Sequence, residues 1–273
     1  MSVSRRSALV SVSALAVTAA NASVARGVDA VLNAGVSAAP GTDQRIQHLL
    51  VHRDAAAGAP HFAPVSFASG DTAWMSLQDL DERAYLQASA KYAMRGYRLR
   101  RVNAFQTKAG MRYAAIWSLA SGAVLETRHG LTLAEFHEQS DRFAARGYAL
   151  SHIDACATDA GVRFAAIWEK RSAPRQQVFA ALTATEFKQK SSELAQQGYR
   201  PRQIAGYAPH GRALFAAIFE KGTADGRQVH HAMTASTLSS RSNAMFVKGY
   251  RLSDASGYVV RGRPMFSGIW EKA

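Results

Sequence analysis

The chain has 273 residues, of which 48% are apolar, and it carries 33 basic against 20 acidic residues, a formal net charge of +13. This length and composition predict one or two folded domains and exclude disorder of the whole chain, while the positive charge favours anionic partners. The single cysteine, Cys156, excludes an internal disulfide and any site that needs two thiolates, such as a zinc ribbon.

The first 25 residues have the three parts of a signal peptide. Arg5 and Arg6 precede an apolar run at 8–20, and a small-residue cleavage site ends at Ala25. The segment SRRSAL also resembles a twin-arginine export signal, and a buried N-terminal helix is the alternative. The sequence therefore predicts an exported protein, periplasmic or secreted. No apolar run reaches the roughly 18 residues of a transmembrane segment. Residues 26–44 are predicted to be a flexible lead-in.

A repeat of 51 residues occupies most of the remaining chain. The dipeptide Gly-Tyr recurs at 96–97, 147–148, 198–199 and 249–250. Three further columns keep this spacing: an isoleucine (Ile116, Ile167, Ile218, Ile269), an aromatic residue directly after it, and a serine (Ser89, Ser140, Ser191, Ser242). Such a period indicates a supersecondary unit that cannot bury its apolar face alone. The predicted repeats span 71–122, 123–174, 175–226 and 227–273, with a degenerate half repeat at 45–70.

Each unit is predicted to contain a strand, a helix and a β-hairpin. In the second copy, Thr132 and Glu135 form a capping box at the start of a helix of about 14 residues. Gly147 is then expected to end the helix in a left-handed conformation, with Tyr148 folding back onto Phe143. The predicted fold class is therefore α+β, with the four units stacked into one array. The tryptophans of the aromatic column are predicted to lie in the core rather than to form a binding ladder.

The repeat consensus resembles a known bacterial module. The passage GYRPRQIAGYAPHGRALFAAIFEK at 198–221 is similar to the tandem repeat that forms the N-terminal part of the polyglycine hydrolases and related secreted serine hydrolases. In that family, catalysis belongs to an appended domain similar to β-lactamases, built around an S-x-x-K serine. No serine of this chain has a lysine three residues later. The resemblance therefore implies the repeat module, and it transfers no catalytic residue.

Three groups of residues are candidates for chemical sites. His152, Asp154 and Cys156 alternate along one predicted strand, an arrangement that thiol chemistry uses. The other repeats place aromatic residues in the Cys156 column, which indicates a packing position, and polar residues in the His152 column, which indicates a solvated one. The adjacent pair His230 and His231 is predicted not to bind a metal because neighbouring residues of a strand point to opposite faces. The serine column is predicted to be structural, each hydroxyl bonding the carbonyl four residues earlier. No catalytic residue, metal ligand or cofactor is predicted.

A stripe of arginines is the predicted binding site. Arginines follow the helix-ending tyrosines or lie two residues further on, and stacking the repeats would align them: Arg98, Arg100, Arg200, Arg202 and Arg251. Guanidinium forks suit carboxylates and phosphates. The alternative is that these are ordinary solvated positions of a basic protein.

The sequence favours a binding or scaffold protein without catalysis of its own, whose partners are anionic cell-surface polymers or peptides. A secreted hydrolase with a site on unidentified loop residues is the alternative. A nucleic-acid binder is disfavoured because the corresponding motifs are absent. An open array and a closed ring are both compatible with the repeat.

Overall fold

The computed structural model describes residues 44–53, 60–68, 74–172, 174–222 and 226–272, with side chains described from Met75 onward. The predicted signal peptide at 1–25 lies outside these residues, as does the lead-in up to residue 43. Each of the four repeats contains an outer strand, a helix, an inner strand and a middle strand, in that chain order. The predicted strand, helix and hairpin unit is thereby confirmed in all four copies.

The elements of the four repeats have nearly equal lengths. The outer strands are β3 (Trp74–Leu80), β6 (Leu125–Leu131), β9 (Gln176–Leu182) and β12 (Gln228–Met233). The helices are α1 (Glu82–Met94), α2 (Leu133–Ala145), α3 (Ala184–Gln196) and α4 (Ala235–Val247). The inner strands are β4 (Tyr97–Thr107), β7 (Tyr148–Thr158), β10 (Tyr199–Tyr207) and β13 (Tyr250–Val260). The middle strands are β5 (Gly110–Leu119), β8 (Gly161–Lys170), β11 (Leu214–Lys221) and β14 (Arg263–Lys272).

Each repeat forms its own three-stranded antiparallel sheet. The middle strand lies between the outer and the inner strand, and the helix packs against the same sheet. The half repeat supplies a two-stranded hairpin of β1 (Gln44–Arg53) and β2 (Pro60–Ala68). A β-bulge interrupts β1 between Ile46 and His48, as one interrupts every inner strand.

The five hairpins close into a ring. Neighbouring inner strands lie against each other from β4 through β7 and β10 to β13. Strand β1 then lies against β13 on one side and against β4 and β5 on the other. The array is therefore closed, and the half repeat is the segment that joins its two ends.

The apolar core is shared between consecutive repeats. Trp168 and Phe136 of repeat 2 pack in one cluster with Tyr207 of repeat 3, and the cores of repeats 1 and 3 are completed in the same way by repeats 2 and 4. The tryptophans Trp117, Trp168 and Trp270 are each 1% exposed, which confirms the prediction that this column is core.

The helix ends follow the sequence cues. Thr132 and Glu135 form the predicted capping box, and Thr183 and Glu186 form an equivalent one in repeat 3. Gly147 has φ +79°, and its equivalents in the other repeats have φ of +80° or +81°. The ring centroids of Phe143 and Tyr148 are 5.5 Å apart, so the tyrosine folds back onto the helix.

We expect Gly147→Ala to lower the free energy of unfolding by about 1 kcal/mol or more, because a Cβ disfavours the left-handed backbone. No atom lies within 4 Å of the added Cβ, so backbone strain is the whole effect. Gly222→Ala is the control: it has equal space and no left-handed φ. Urea unfolding of both variants tests the helix stop, and equal stabilities would contradict it.

Candidate functional site

A cluster of mostly buried polar side chains lies where the inner strands meet. Directly after its bulge, each inner strand carries one polar or charged residue, and we call these four the axial residues: Arg101, His152, Gln203 and Asp254. Except for Arg101, they are at most 3% exposed. The prediction that the His152 column is solvated is therefore wrong. A polar residue on an inner strand faces the neighbouring repeat, which a single copy of the repeat does not reveal.

Three of the four axial residues form hydrogen bonds with the backbone of the preceding repeat. Gln203 accepts from the Ile153 N–H and donates to the Ile153 carbonyl, both at 2.9 Å. Asp254 Oδ2 accepts from the Ile204 N–H at 2.9 Å, and His152 Nε2 donates to the Val102 carbonyl at 2.8 Å. Because buried backbone groups without partners are costly, these side chains take the place of a strand ladder between the repeats.

Two residues further along, a second row of contacts repeats the arrangement. Asp154 Oδ2 accepts from the Ala104 N–H at 2.9 Å, and its Oδ1 accepts from the Asn103 side chain at 3.2 Å. Ser256 Oγ accepts from the Gly206 N–H at 2.9 Å. Side chains of the following repeat thus form hydrogen bonds with the backbone of the inner strand in each of repeats 1, 2 and 3.

Arg101 joins the first repeat to the last. Its Nη1 lies 2.9 Å from Asp254 Oδ1 and 3.3 Å from His152 Nδ1. Since His152 Nε2 donates to a carbonyl, Nδ1 carries the lone pair and accepts from Arg101 and from Gln203. The cluster lines a small recess of about 10 Å³ that is partly open to solvent.

Burial shifts the ionisation of this cluster. Burial, with the charge of Arg101, lowers the pKa of His152 to about 3. Burial raises the pKa of Asp154 to about 7 against the hydrogen bonds it accepts. Burial also raises the pKa of Asp254, with Arg101 opposing the rise. His152 is therefore neutral at pH 7, in the tautomer that its contacts require.

The two shifts predict opposite pH dependences. Asp154 binds its proton more tightly when folded, so it lowers stability as pH rises from 3.8 to about 7, whereas His152 raises stability from about pH 3 to 6.5. Relative to the unmodified chain, we expect Asp154→Asn to make the free energy of unfolding rise more with pH between 4 and 7. His152→Gln, which copies the residue of repeat 3, should make it rise less. Urea unfolding at four pH values tests this, and parallel curves for the three proteins would contradict it.

Cys156 and the paired histidines lie in packing positions. Cys156 is 8% exposed in the core of repeat 1, and burial raises the pKa of its thiol to about 12, as fits the predicted packing role. His231 packs against Phe187 and Phe215 of repeat 3, while His230 contacts Arg241. In the part of the chain that the structure describes, no three metal-binding side chains cluster.

The serine column is confirmed as a packing position on the helices, but its predicted hydrogen bond is wrong. Among the described residues, neither Ser140 Oγ nor Ser191 Oγ has a partner, although both are buried. Each therefore serves by its small volume beneath the helix.

The five arginines of the predicted stripe have different partners in the structure. Arg98 pairs with Glu169 of repeat 2 at 2.9 Å, and Arg202 lies 3.4 Å from Glu220 and donates to the Ser151 carbonyl. Arg100 donates to Ser118 Oγ at 2.7 Å. Arg100 and Arg202 are moreover the extra residues of their β-bulges, so strand alternation does not predict where they point.

The last two arginines of the stripe contact backbone and an aromatic ring. Arg200 donates to the Ala195 and Tyr199 carbonyls. The Arg251 guanidinium lies 4.4 Å from the centroid of the Phe246 ring and is exposed. The use of these five arginines in binding stays a prediction, and Arg200 and Arg251 are the members that can be tested without breaking a described ion pair.

Comparison with known proteins agrees with the repeat architecture. No helix among the described residues is long and apolar enough to cross a membrane. No curated protein matches the chain. A family model described as polyglycine hydrolase-like, structural repeat, matches four consecutive segments, 71–118, 122–171, 174–222 and 224–273. These segments coincide with the four units of strand, helix and hairpin around the ring, and the chain belongs to the family of polyglycine hydrolase-like structural repeats.

Proposed function

We propose that the chain is a tandem-repeat binding or scaffold module that recognises an anionic polymer or peptide. The observation that carries this proposal is the uneven distribution of charge. As bounded by the family match, repeat 1 holds eight basic and four acidic residues and repeats 3 and 4 hold seven basic and three acidic residues each, whereas repeat 2 holds six basic and seven acidic. A strong positive field attracts anions and speeds their association.

The pairing of the acidic side chains supports the same proposal. The middle strands of repeats 2, 3 and 4 carry equivalent glutamates as their next-to-last residues, Glu169, Glu220 and Glu271. Each of these glutamates contacts at least one arginine within 3.4 Å. Asp254 is likewise paired with Arg101. These carboxylates are already compensated, so the basic excess of the ring remains for an external partner.

Titration of the full chain with labelled polymers tests the function. We expect polyphosphate and poly-L-glutamate to bind, neutral dextran not to bind, and the affinity to fall steeply as salt rises from 50 to 200 mM, because the Debye length is about 10 Å at 0.1 M. Equal binding of dextran, or an affinity insensitive to salt, would overturn the proposal. Turnover of peptidyl or ester substrates that a single polar substitution abolishes would favour the hydrolase.

We also propose that the protein is exported after removal of residues 1–25. Support comes from the charged, apolar and small-residue segments described above, and from a repeat that resembles modules of secreted hydrolases. Mass mapping of the native N-terminus tests the proposal. A peptide that begins at residue 26 is expected, and a retained Met1 would overturn the cleavage.

A further inference from the structure

Two neighbouring hairpin turns concentrate positive charge on one end of the ring. The turn of repeat 3 contains His210, Gly211 and Arg212, and the turn of repeat 4 contains Arg261, Gly262 and Arg263. The histidine and the three arginines are all exposed. We call these six residues the cationic turns.

The two turns form a single surface. A Cβ added to Gly211 would lie 2.9 Å from Arg261 Cγ, so the stem of the arginine rests directly on the backbone of the other turn. His210 and Arg261 have φ of +50° and +49°, a region that residues other than glycine adopt at a cost. The contact between the two turns and the left-handed backbone at His210 and Arg261 both restrict the conformation of the turns. Their side chains are therefore kept at the ends of the hairpins.

The cationic turns differ from the turns of the first two repeats in their compensation. In repeat 1, Arg112 lies 3.8 Å from Asp79, and in repeat 2 the turn itself contains an acidic residue, Asp159. Among the described residues, neither Arg261 nor Arg263 forms an ion pair. The turn of repeat 4 therefore carries two arginines that no described carboxylate compensates, whereas the turn of repeat 1 carries one such cation, Lys108.

We infer that the cationic turns are the contact surface for the anionic partner, an inference that rests on the proposed function, and that this partner is a linear phosphate polymer. All the permanent charges are arginines, whose planar forks match the oxygens of phosphate. A phosphate polymer carries its charges in its main chain. An acidic peptide carries them on side chains, and fixing each of these costs up to about 2 kcal/mol of rotamer entropy.

The surface is electrostatically separate from the arginines of the predicted stripe. Arg251 lies near the start of β13, and Arg261 follows its last residue. Ten residues of extended strand span roughly 30 Å, about three Debye lengths at 0.1 M salt. Substitutions at the two ends of this strand therefore report on different surfaces.

Three double variants of the full chain, each removing two positive charges, locate the surface. They are Arg261→Gln with Arg263→Gln, Arg200→Gln with Arg251→Gln, and Arg83→Gln with Arg142→Gln on the exposed faces of α1 and α2. With labelled polyphosphate at 100 mM salt, we expect the first pair to raise Kd at least about tenfold, and the other two about twofold or less. An equal loss from all three pairs, or a larger loss from Arg200 and Arg251, would overturn the inference.

Further variants and polymers distinguish a failure of this inference from a failure of the proposed function. Thermal unfolding verifies that the turn variant is folded, and Arg261→Lys with Arg263→Lys keeps the charge while removing the forks. We expect this variant to bind polyphosphate more weakly than the unmodified chain, and equal binding would overturn the role of the forks. Tighter binding of poly-L-glutamate than of polyphosphate would overturn the choice of phosphate. Failure of both polymers to bind the unmodified chain would instead overturn the proposed function.

Discussion

Asp254→Ala is expected to lower the free energy of unfolding by about 3–5 kcal/mol, the usual cost of removing one partner of a buried ion pair. Asp254 is 1% exposed and meets both Arg101 Nη1 and the Ile204 N–H at 2.9 Å. Its loss leaves a charge of repeat 1 and a backbone donor of repeat 3 without their partner. Urea unfolding measures the effect.

Two controls distinguish this pair from ordinary surface charge. Arg101→Met combined with Asp254→Leu removes both charges and should recover most of the loss, because the uncompensated charge disappears. Glu126→Ala removes the partner of Arg128 at 3.2 Å, a largely exposed pair that should contribute less than about 1 kcal/mol. A loss from Asp254→Ala no greater than that from Glu126→Ala would show that the axial residues do not hold the ring together.

Trp168→Ala should cost about 3–5 kcal/mol as a large-to-small change in the core. The ring centroid of Trp168 lies 4.8 Å from that of Phe143 and 6.2 Å from that of Phe136. Because the same cluster includes residues of repeat 3, we expect one cooperative transition at lower denaturant rather than separate unfolding of repeat 2. Tryptophan fluorescence and circular dichroism during urea unfolding test both points.

The chain supplies its own control for this site. Repeat 3 has Phe219 at the equivalent position, also fully buried, so Trp168→Phe should cost clearly less than Trp168→Ala. Val247→Ala, at a residue 84% exposed, should change stability by less than about 0.5 kcal/mol. Losses of similar size at Trp168 and Val247 would contradict the shared core.

The elements of the repeat could be predicted because their causes are local. A capping box needs Thr132 and Glu135 three residues apart, and a helix stop needs Gly147 and the following tyrosine, so each cue lies within one turn of chain. Because the same cues recur at equal spacing in four copies, a chance occurrence is implausible. The helices consequently begin and end close to the predicted residues.

The axial cluster could not be predicted because its causes are not local. Arg101, His152, Gln203 and Asp254 share a column but no chemical type, and each satisfies backbone or charge in another repeat. Read within one copy, such a column is typical of solvent exposure. The one feature of the sequence position that marks these residues is that each directly follows a β-bulge. The bulge can be located only once the register of the hairpin is known.

The arginine stripe illustrates the same difficulty on the outside of the molecule. Equal spacing correctly places Arg98, Arg200 and Arg251 at the second position of the inner strands of repeats 1, 3 and 4. It does not distinguish Arg98, which pairs with Glu169, from Arg251, which covers Phe246. The partner of each arginine depends on side chains that differ from one repeat to the next.

Closure of the ring makes the order of the repeats a structural property. Since every axial side chain is matched to one particular neighbour, exchanging two repeats would bring together groups that do not complement each other, even though all four units share one fold. Opening the chain between two repeats and connecting β14 to the first hairpin would instead keep every contact between neighbours. The molecule should therefore still fold after circular permutation but lose stability when two repeats are exchanged. The four similar units are thus not interchangeable.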